Sequence, residues 1–247
     1  MIILASEILD SFDFKSYFLE TVGSTSQFLK EKIKQESTSK LFCSSIEQTD
    51  GYGQRSRSWL SNKNSLKFSI AFELNEDMDS LFLSGLQLAL FFRKILSNYH
   101  AEELKVKWPN DIYSSKGKIC GILTEIVKTE KNYVVIGVGI NVDYCLLGTD
   151  FNSDSVSWLK IEDMLKEFLI NIDSIYENNK ISKLDVLDEW SRFDFFEEDC
   201  EVLVLDGLSS NIGLYRGLSM NCMPKILFND KLVEYISANV SLKKVES

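Results

Sequence analysis

The chain has 247 residues, room for one large domain or a medium domain with a small one, and enough to bury a sizeable core. With 45% hydrophobic and 26% charged residues it reads as folded and globular rather than disordered. A formal net charge of −10 argues against a sequence-independent grip on duplex DNA, which depends on many Lys and Arg. Small anions remain open as ligands, because they need only a few local cations.

The opening "MIILASEILDSFDF" is partly apolar but carries Glu7 and Asp10. It has neither a basic n-region nor a small-residue cleavage site, so no signal peptide is expected. "VGSTSQFLKEKIKQ" predicts a helix. Ser24 stands three residues before Gln27, as in a capping box, and Phe28, Leu29 and Ile33 form the apolar stripe. "LFCSSIE" and "NSLKFSIAFEL" predict strands, and Leu81 to Tyr99 a mostly buried helix. Its apolar run is shorter than the roughly 18 residues of a membrane span, so a cytoplasmic protein with no membrane partner is expected.

"ELKVKW", "GKICGILTEIV" and "NYVVIGVGINV" predict further strands, the last two joined by "KTEKN", a connection of hairpin length. "SWLKIEDMLKEFLINIDSIYENN" and "ISKLDVLDEWSRF" predict amphipathic helices. After Phe195, Phe196, Glu197 and Glu198 the pattern changes to short strands and turns, typical of a small β-barrel. The expected fold is α+β: a central mixed β-sheet with helices packed on one side over residues 1–198, then a small SH3-like barrel over residues 199–247.

The five cysteines, Cys43, Cys120, Cys145, Cys200 and Cys222, are scattered without a C-x-x-C pair. They support neither a disulfide framework nor a zinc site, and most are expected in the core. The single histidine, His100, follows a helical run and is expected at a helix end or on the surface. With this one histidine so placed, neither a Ser–His triad nor a histidine metal site is expected.

Four stretches carry chemistry. In "KVKWPNDIY", Pro109 fixes its own φ and biases Trp108 toward extended backbone, so Lys107, Asn110 and Asp111 are presented in a rigid turn. The plain alternative is a turn joining two strands. In "GKICGILTE", Lys118 enters an apolar strand, which is costly unless it meets an anion; alternatively it is the last exposed turn residue. "VVIGVGINV" lacks the third glycine and the following helix of a dinucleotide fingerprint. Its glycines instead suit close approach of a ligand to a strand, closed by Asn141. "DGYGQRSRSW" is not a P-loop, but its glycines can expose backbone N–H groups to an anion. A surface loop with two solvated arginines is the alternative.

Taken in order, "STSQFL", "EQTDGYGQRSRSW", "KWPNDIY", "GKICGILTE" and "VVIGVGINV" resemble the biotin protein ligase family. The likeness is strong from Val22 to about Val142 and extends to the later helices and barrel in arrangement. Larger members carry an N-terminal DNA-binding winged helix. Only 23 residues precede Ser24, so a short form without DNA binding is expected.

The resemblance implies an ATP-dependent ligase. It would join biotin to ATP as biotinyl-5'-adenylate, with Mg2+ on the phosphates, then pass the biotinyl group to a lysine of a biotin carboxyl carrier protein, the acetyl-CoA carboxylase subunit. It assigns Lys118, Arg55 and Asp111 to catalysis. Biotin would lie against Ser24, Thr25, Ser26, Gln48, Gly51, Tyr52, Gly53, Gln54, Lys118, Gly121 and Leu123. ATP would meet Arg55, Arg57, Trp59, Lys107, Asn110 and Asn141. No protein ligand set for a metal is implied. A homodimer paired through a sheet edge is compatible with the family.

The chain departs from the family pattern at three places. Ser26 stands for an asparagine, and Tyr52 and Gln54 stand for arginines, with Arg55 a substitute by register shift. The departures predict a lid that retains adenylate less tightly. A related lipoate-type acyl ligase and a non-catalytic biotin-binding module remain the competing readings.

Overall fold

The computed structural model describes residues 2–36, 38–59, 64–74, 81–142, 153–176, 182–206, 209–235 and 240–245. The elements run α1 (Ile2–Ser11), β1 (Lys15–Val22), α2 (Thr25–Gln35), β2 (Lys40–Gln48), β3 (Ser65–Glu73), α3 (Leu81–Leu96), β4 (Lys105–Lys107), β5 (Asp111–Tyr113), β6 (Lys118–Lys128) and β7 (Asn132–Asn141). They continue with α4 (Ile161–Tyr176), α5 (Lys183–Phe193), β8 (Glu201–Asp206), β9 (Ser209–Leu218), β10 (Pro224–Phe228), β11 (Lys231–Glu234) and β12 (Val240–Lys244).

Strands β1 to β7 form a mixed seven-stranded sheet in the order β1-β2-β3-β7-β6-β5-β4. Its β1–β2 pair is parallel and the rest antiparallel. Its main core lies on one face, against α1, α3, α4 and α5. Phe168 of α4 sits among Phe68, Phe91 and Phe92, with ring centroids 6.2, 5.9 and 5.0 Å away; truncating such a ring to alanine costs about 3–5 kcal/mol.

Helix α2 differs from the expectation of helices on one side. Its Leu29 and Ile33 pack on the opposite face, with Leu41, Cys43, Ala71, Val127, Tyr133 and Val135. The reason is chirality: α2 is the crossover between parallel neighbours β1 and β2, and the right-handed sense of that connection fixes its face. Ser24 caps the helix by accepting from the Gln27 N–H at 3.4 Å. The reciprocal half of a capping box is missing, because the Gln27 side chain donates to Glu31 instead.

Strands β8 to β12 form a second sheet, antiparallel throughout, in the order β11-β10-β9-β8-β12, in keeping with the SH3-like unit expected. Its core is Phe196, Val202, Val204, Tyr215, Ile226, Val240 and Leu242. A column of rings joins the two sheets, from Tyr113 of β5 through Phe195 and Phe196 to Tyr215 of β9, at 4.8, 5.1 and 5.3 Å between centroids.

Cys43, Cys120 and Cys222 are buried and Cys200 is half-buried, while Cys145 lies outside the described residues. Among the described residues no helix is long and apolar enough to cross a membrane.

Candidate active site

The face that α2 covers only in part carries a cavity of about 400 Å³. Side chains of a strand alternate between faces. On β7 the residues in step with Tyr133 and Val135 are Gly137 and Gly139, and their partners on β6 are Leu123 and Gly121. Three glycines therefore remove the side chains from one patch of sheet. A Cβ at Gly137 would fall 2.5 Å from Ser26 Oγ, and one at Gly121 would fall 2.9 Å from Lys118 Nζ. The floor is flat because larger residues would collide with the groups that line it.

One end of the cavity is polar and uncharged. Gln48 Oε1 accepts from the Thr25 N–H at 2.8 Å and from Thr25 Oγ1 at 3.0 Å, which leaves its Nε2 amide as the donor for a ligand. Thr25 and Ser26 each share a hydrogen bond with Ser69 Oγ, at 2.8 and 2.9 Å. Ser24, Thr25 and Ser26 are all buried. Buried hydroxyls held in a fixed network suit a compact ligand head with both donors and acceptors.

The other end is cationic. Lys107, Trp108, Pro109 and Asn110 make a tight turn with a cis Trp108–Pro109 bond, closed by Asn110 N–H to Lys107 O at 3.1 Å; cis-proline at the third position is a recognised turn geometry. The turn puts Asp111 on β5, opposite Gly121, where its Oδ1 meets Lys118 Nζ at 2.7 Å. Lys107 lies near the rings of Tyr113, Phe195 and Phe196, 4.9, 5.2 and 5.8 Å from their centroids. Burial pulls its pKa down to about 8, against the opposing pull of Asp111. Asn141 donates through Nδ2 to the carbonyls of Lys118 and Asp154, and its buried Oδ1 has no partner. Asn110 Nδ2 donates to the Ile122 carbonyl. Among the described residues no group of three or more His, Cys, Asp or Glu could hold a metal ion.

A hairpin roofs the cavity. Trp59 N–H bonds Gly51 O and Gly53 N–H bonds Arg57 O, both at 2.8 Å, around a 3-10 turn at Gln54–Ser56. Arg55 takes a left-handed φ of 59°, uncommon for a non-glycine residue. Burial, then the like charge of Arg57, lowers its pKa, while Asp206 opposes. Arg57 bonds Ser241 Oγ at 3.1 Å, so β12 touches the roof, and Val240, Ser241 and Leu242 line the cavity. The Trp59 indole lies over the glycine floor with Lys118 Nζ 5.1 Å from its ring. Tyr52 OH meets Glu125 and Lys30, each at 2.9 Å.

The cavity thus gathers Ser24, Thr25, Ser26, Gln48, Tyr52, Gly53, Gln54, Arg55, Arg57, Trp59, Lys107, Asn110, Asp111, Lys118, Gly121, Leu123 and Asn141. Gly51 stands just behind the lining, where a Cβ would fall 2.9 Å from Gln48 Nε2. Sequence reasoning missed Ser69 and the β12 wall. It also missed the partners of His100, whose ring meets Asp154 Oδ2 at 2.9 Å, with Ser114 Oγ on the same oxygen at 2.6 Å. His100 touches the carboxylate and not the hydroxyl, so this is no Ser–His pair. Its bond helps hold Asp154, whose N–H meets the Lys118 carbonyl at 3.0 Å.

Comparison with known proteins gives the same direction. The chain is 27% identical over 242 residues to the bifunctional ligase/repressor BirA of Escherichia coli, covering 96% of this chain and 70% of that one. It is 48% identical over 40 residues to the biotin–[acetyl-CoA-carboxylase] ligase of Mycobacterium tuberculosis, 16% of this chain and 14% of that one. The structure of the biotin protein ligase from Aquifex aeolicus in complex with biotin and ATP superimposes with a TM-score of 0.74, at 25% identity, over 94% of this chain and 99% of that one. The family model for the biotin/lipoate A/B protein ligase family matches residues 18–141. The chain belongs to the biotin/lipoate A/B protein ligase family.

Proposed function

We propose that this protein is an ATP-dependent ligase that activates biotin as biotinyl-5'-adenylate and transfers it to a specific lysine of a biotin carboxyl carrier protein. The observation that carries the reading is one cavity with a neutral hydroxyl-rich end at Ser24–Ser26 and a cationic end at Lys107 and Lys118, joined over a glycine floor. A neutral ureido head and an anionic carboxylate at opposite ends of one ligand match that layout.

Biotin's carboxyl group is ionised at neutral pH, so the first step needs no general base. Its oxygen attacks the α-phosphorus of ATP, a C–O–P link forms and pyrophosphate leaves. Bringing an anion against a triphosphate requires fixed positive charge. Lys118, oriented by Asp111, faces the carboxylate and α-phosphate; Arg55, Arg57 and Lys107 serve the outer phosphates. Gln48 Nε2 and the Ser24–Ser26 hydroxyls hold the head, Gly121 and Leu123 the apolar ring system, and Trp59 the adenine. Tyr52, Gly53 and Gln54, with Gly51 behind them, cover biotin.

Magnesium fits as a passenger of the nucleotide. The described residues offer no carboxylate cage, but the partnerless Asn141 Oδ1 is one hard oxygen ligand, and magnesium usually takes few protein ligands besides phosphates. Its role is to neutralise phosphate charge. In the second step the acceptor amine attacks the acyl carbon and AMP leaves. In this reading Asp111 accepts a proton from the incoming ammonium, which ordinarily holds it up to a pKa of about 10.4.

In this scheme residues 1–198 bind both substrates, and residues 199–247 supply the outer wall. The free edge of β1 is where two copies would pair, with the unpaired N–H and C=O groups that such an edge presents. Titration calorimetry with biotin and with lipoate, followed by a pyrophosphate-exchange assay with each plus ATP, tests the reading. Biotin-dependent pyrophosphate exchange is the expected result; exchange with lipoate alone would move the chain to the acyl-ligase branch.

A further inference from the structure

Tyr52 belongs to a closed triangle that the reaction does not require. Lys30 Nζ meets Glu125 Oε1 at 2.6 Å and donates to Tyr52 OH at 2.9 Å. Tyr52 OH in turn donates to Glu125 Oε2 at 2.9 Å. Each carboxylate oxygen has its own donor. The Lys30 ammonium also stands 5.3 Å from the centre of the Tyr52 ring. The three residues come from three places: α2, the roof hairpin and β6.

The Lys30 and Glu125 side chains are only 20% and 26% exposed, so water screens the triangle less than an ordinary surface pair, and bonds to ionised groups are the strong ones. The hairpin is stiff, being closed by the Trp59–Gly51 and Gly53–Arg57 backbone bonds and by the Tyr52–Ser58 bridge. Holding the Tyr52 hydroxyl therefore holds the whole roof. An arginine at position 52 would set two cations against one carboxylate. A tyrosine is the neutral group that can accept from Lys30 and donate to Glu125 at once.

We propose that Tyr52 is a positioning residue whose hydroxyl latches the roof hairpin to the Lys30–Glu125 pair before any ligand arrives, so that ligand entry and exit require the latch to open. The claim about ligand exchange rests on the biotin reading above; the claim about the latch does not.

The test is amide hydrogen exchange of the ligand-free protein, followed by biotin release measured by stopped-flow tryptophan fluorescence. Tyr52→Phe removes both hydroxyl bonds and keeps the ring; Lys30→Met removes the cation and keeps the chain. Each is expected to speed exchange at the Gly53 and Trp59 amides about tenfold, with a similar rise in biotin release. The double variant should add little to either single change, as for residues of one network. Tyr17→Phe removes a comparable hydroxyl bond, to Glu36, and should leave the roof amides unchanged. Unchanged exchange at Gly53 and Trp59 in both single variants would overturn the latch, whatever biotin does. Faster exchange without faster release would overturn its role in ligand exchange. Failure of the wild-type protein to bind biotin would show in the titration itself and would leave the exchange comparison to decide the latch.

Discussion

The indole of Trp59 occupies the space that a side chain at Gly139 would need: a Cβ there would fall 2.5 Å from Trp59 Cε2 and Cζ2. The strand glycine and the roof tryptophan are therefore one device, a flat floor and the ring laid on it. Gly139→Ala should displace the indole and weaken ATP binding by about 1–3 kcal/mol, the usual range for overpacking. Gly85→Ala is the control, since a Cβ at Gly85 in α3 meets nothing within 4 Å. It should leave ATP binding unchanged and stabilise the fold by about 0.4–1 kcal/mol. Equal ATP affinity in the Gly139 variant and wild type would show that Trp59 does not bear on the nucleotide.

Lys118 and Asp111 separate charge from orientation. Lys118→Ala removes the cation that the proposed scheme sets against the carboxylate and α-phosphate, and should lower the adenylation rate about 10²–10³-fold, the range for loss of a transition-state charge partner. Biotin affinity should change far less, because the head is held at the other end of the cavity. Asp111→Asn keeps the shape but frees Lys118 to wander, so its adenylation defect should be smaller. Single-turnover pyrophosphate release checks both; a non-catalytic binding protein would lose nothing in its function with Lys118→Ala.

Lys107 makes a prediction about pH. Its pKa is pushed down to about 8, chiefly by burial among aromatic rings. Below about 8 it is charged and, in the proposed scheme, attracts phosphate; above about 8 it is neutral. The profile of kcat/KM for ATP, which reports the free enzyme, should fall as pH rises through about 8, while biotin affinity stays level. Lys107→Arg keeps its charge over the whole range and should remove the fall. A wild-type profile flat from pH 7 to 9 would exclude Lys107 from nucleotide binding.

The seam between the two sheets has its own titration. Asp194 accepts from Tyr215 OH at 2.6 Å and from Trp190 Nε1 at 3.2 Å, and burial raises its pKa from 3.8 to about 6. The folded state thus keeps this proton to higher pH than the unfolded chain does. The group's contribution is most favourable below the ordinary carboxylate range and declines as pH rises toward about 6, by about 3 kcal/mol in all. Asp194→Asn does not ionise and can still accept both bonds. Its stability relative to wild type should rise by about that amount between about pH 4 and pH 8 in denaturant melts. A pH-independent difference would show that the carboxyl titrates normally.

Much of the cavity lining was legible in the sequence because local chemistry specified it. Pro109 dictated a turn, Gly137 and Gly139 marked a strand open to close approach, and Ser24 marked a helix start at the head of the pocket. What was not legible depended on distant partners. Ser69 matters only because β3 brings it under Thr25 and Ser26, more than forty residues away. Tyr52 reads as a missing arginine until Lys30 and Glu125 stand beside it, 22 and 73 positions off. The Val240–Leu242 wall follows from how the second sheet docks, which no periodicity encodes. Strand β1 went unread because "KSYFLETV" lies at a sheet edge, half-exposed along most of its length, and so lacks strict alternation.

The roof offers a substitution that should improve the protein. Gln54 lines the cavity beside Arg55, whose left-handed backbone and nearby Asp206 fit a residue held partly toward the second sheet. In the proposed scheme the adenylate carries a phosphate charge beside Gln54, which can offer it only a neutral amide. A bond from an ionised donor is worth about 1.5–3 kcal/mol against about 1 for a neutral one. Gln54→Arg should therefore slow adenylate release about tenfold in a pulse-chase experiment, with the adenylation rate little changed. If Arg55 already covers the phosphate, the release rate will not move, and the register shift that assigns Arg55 to that role will have been measured directly.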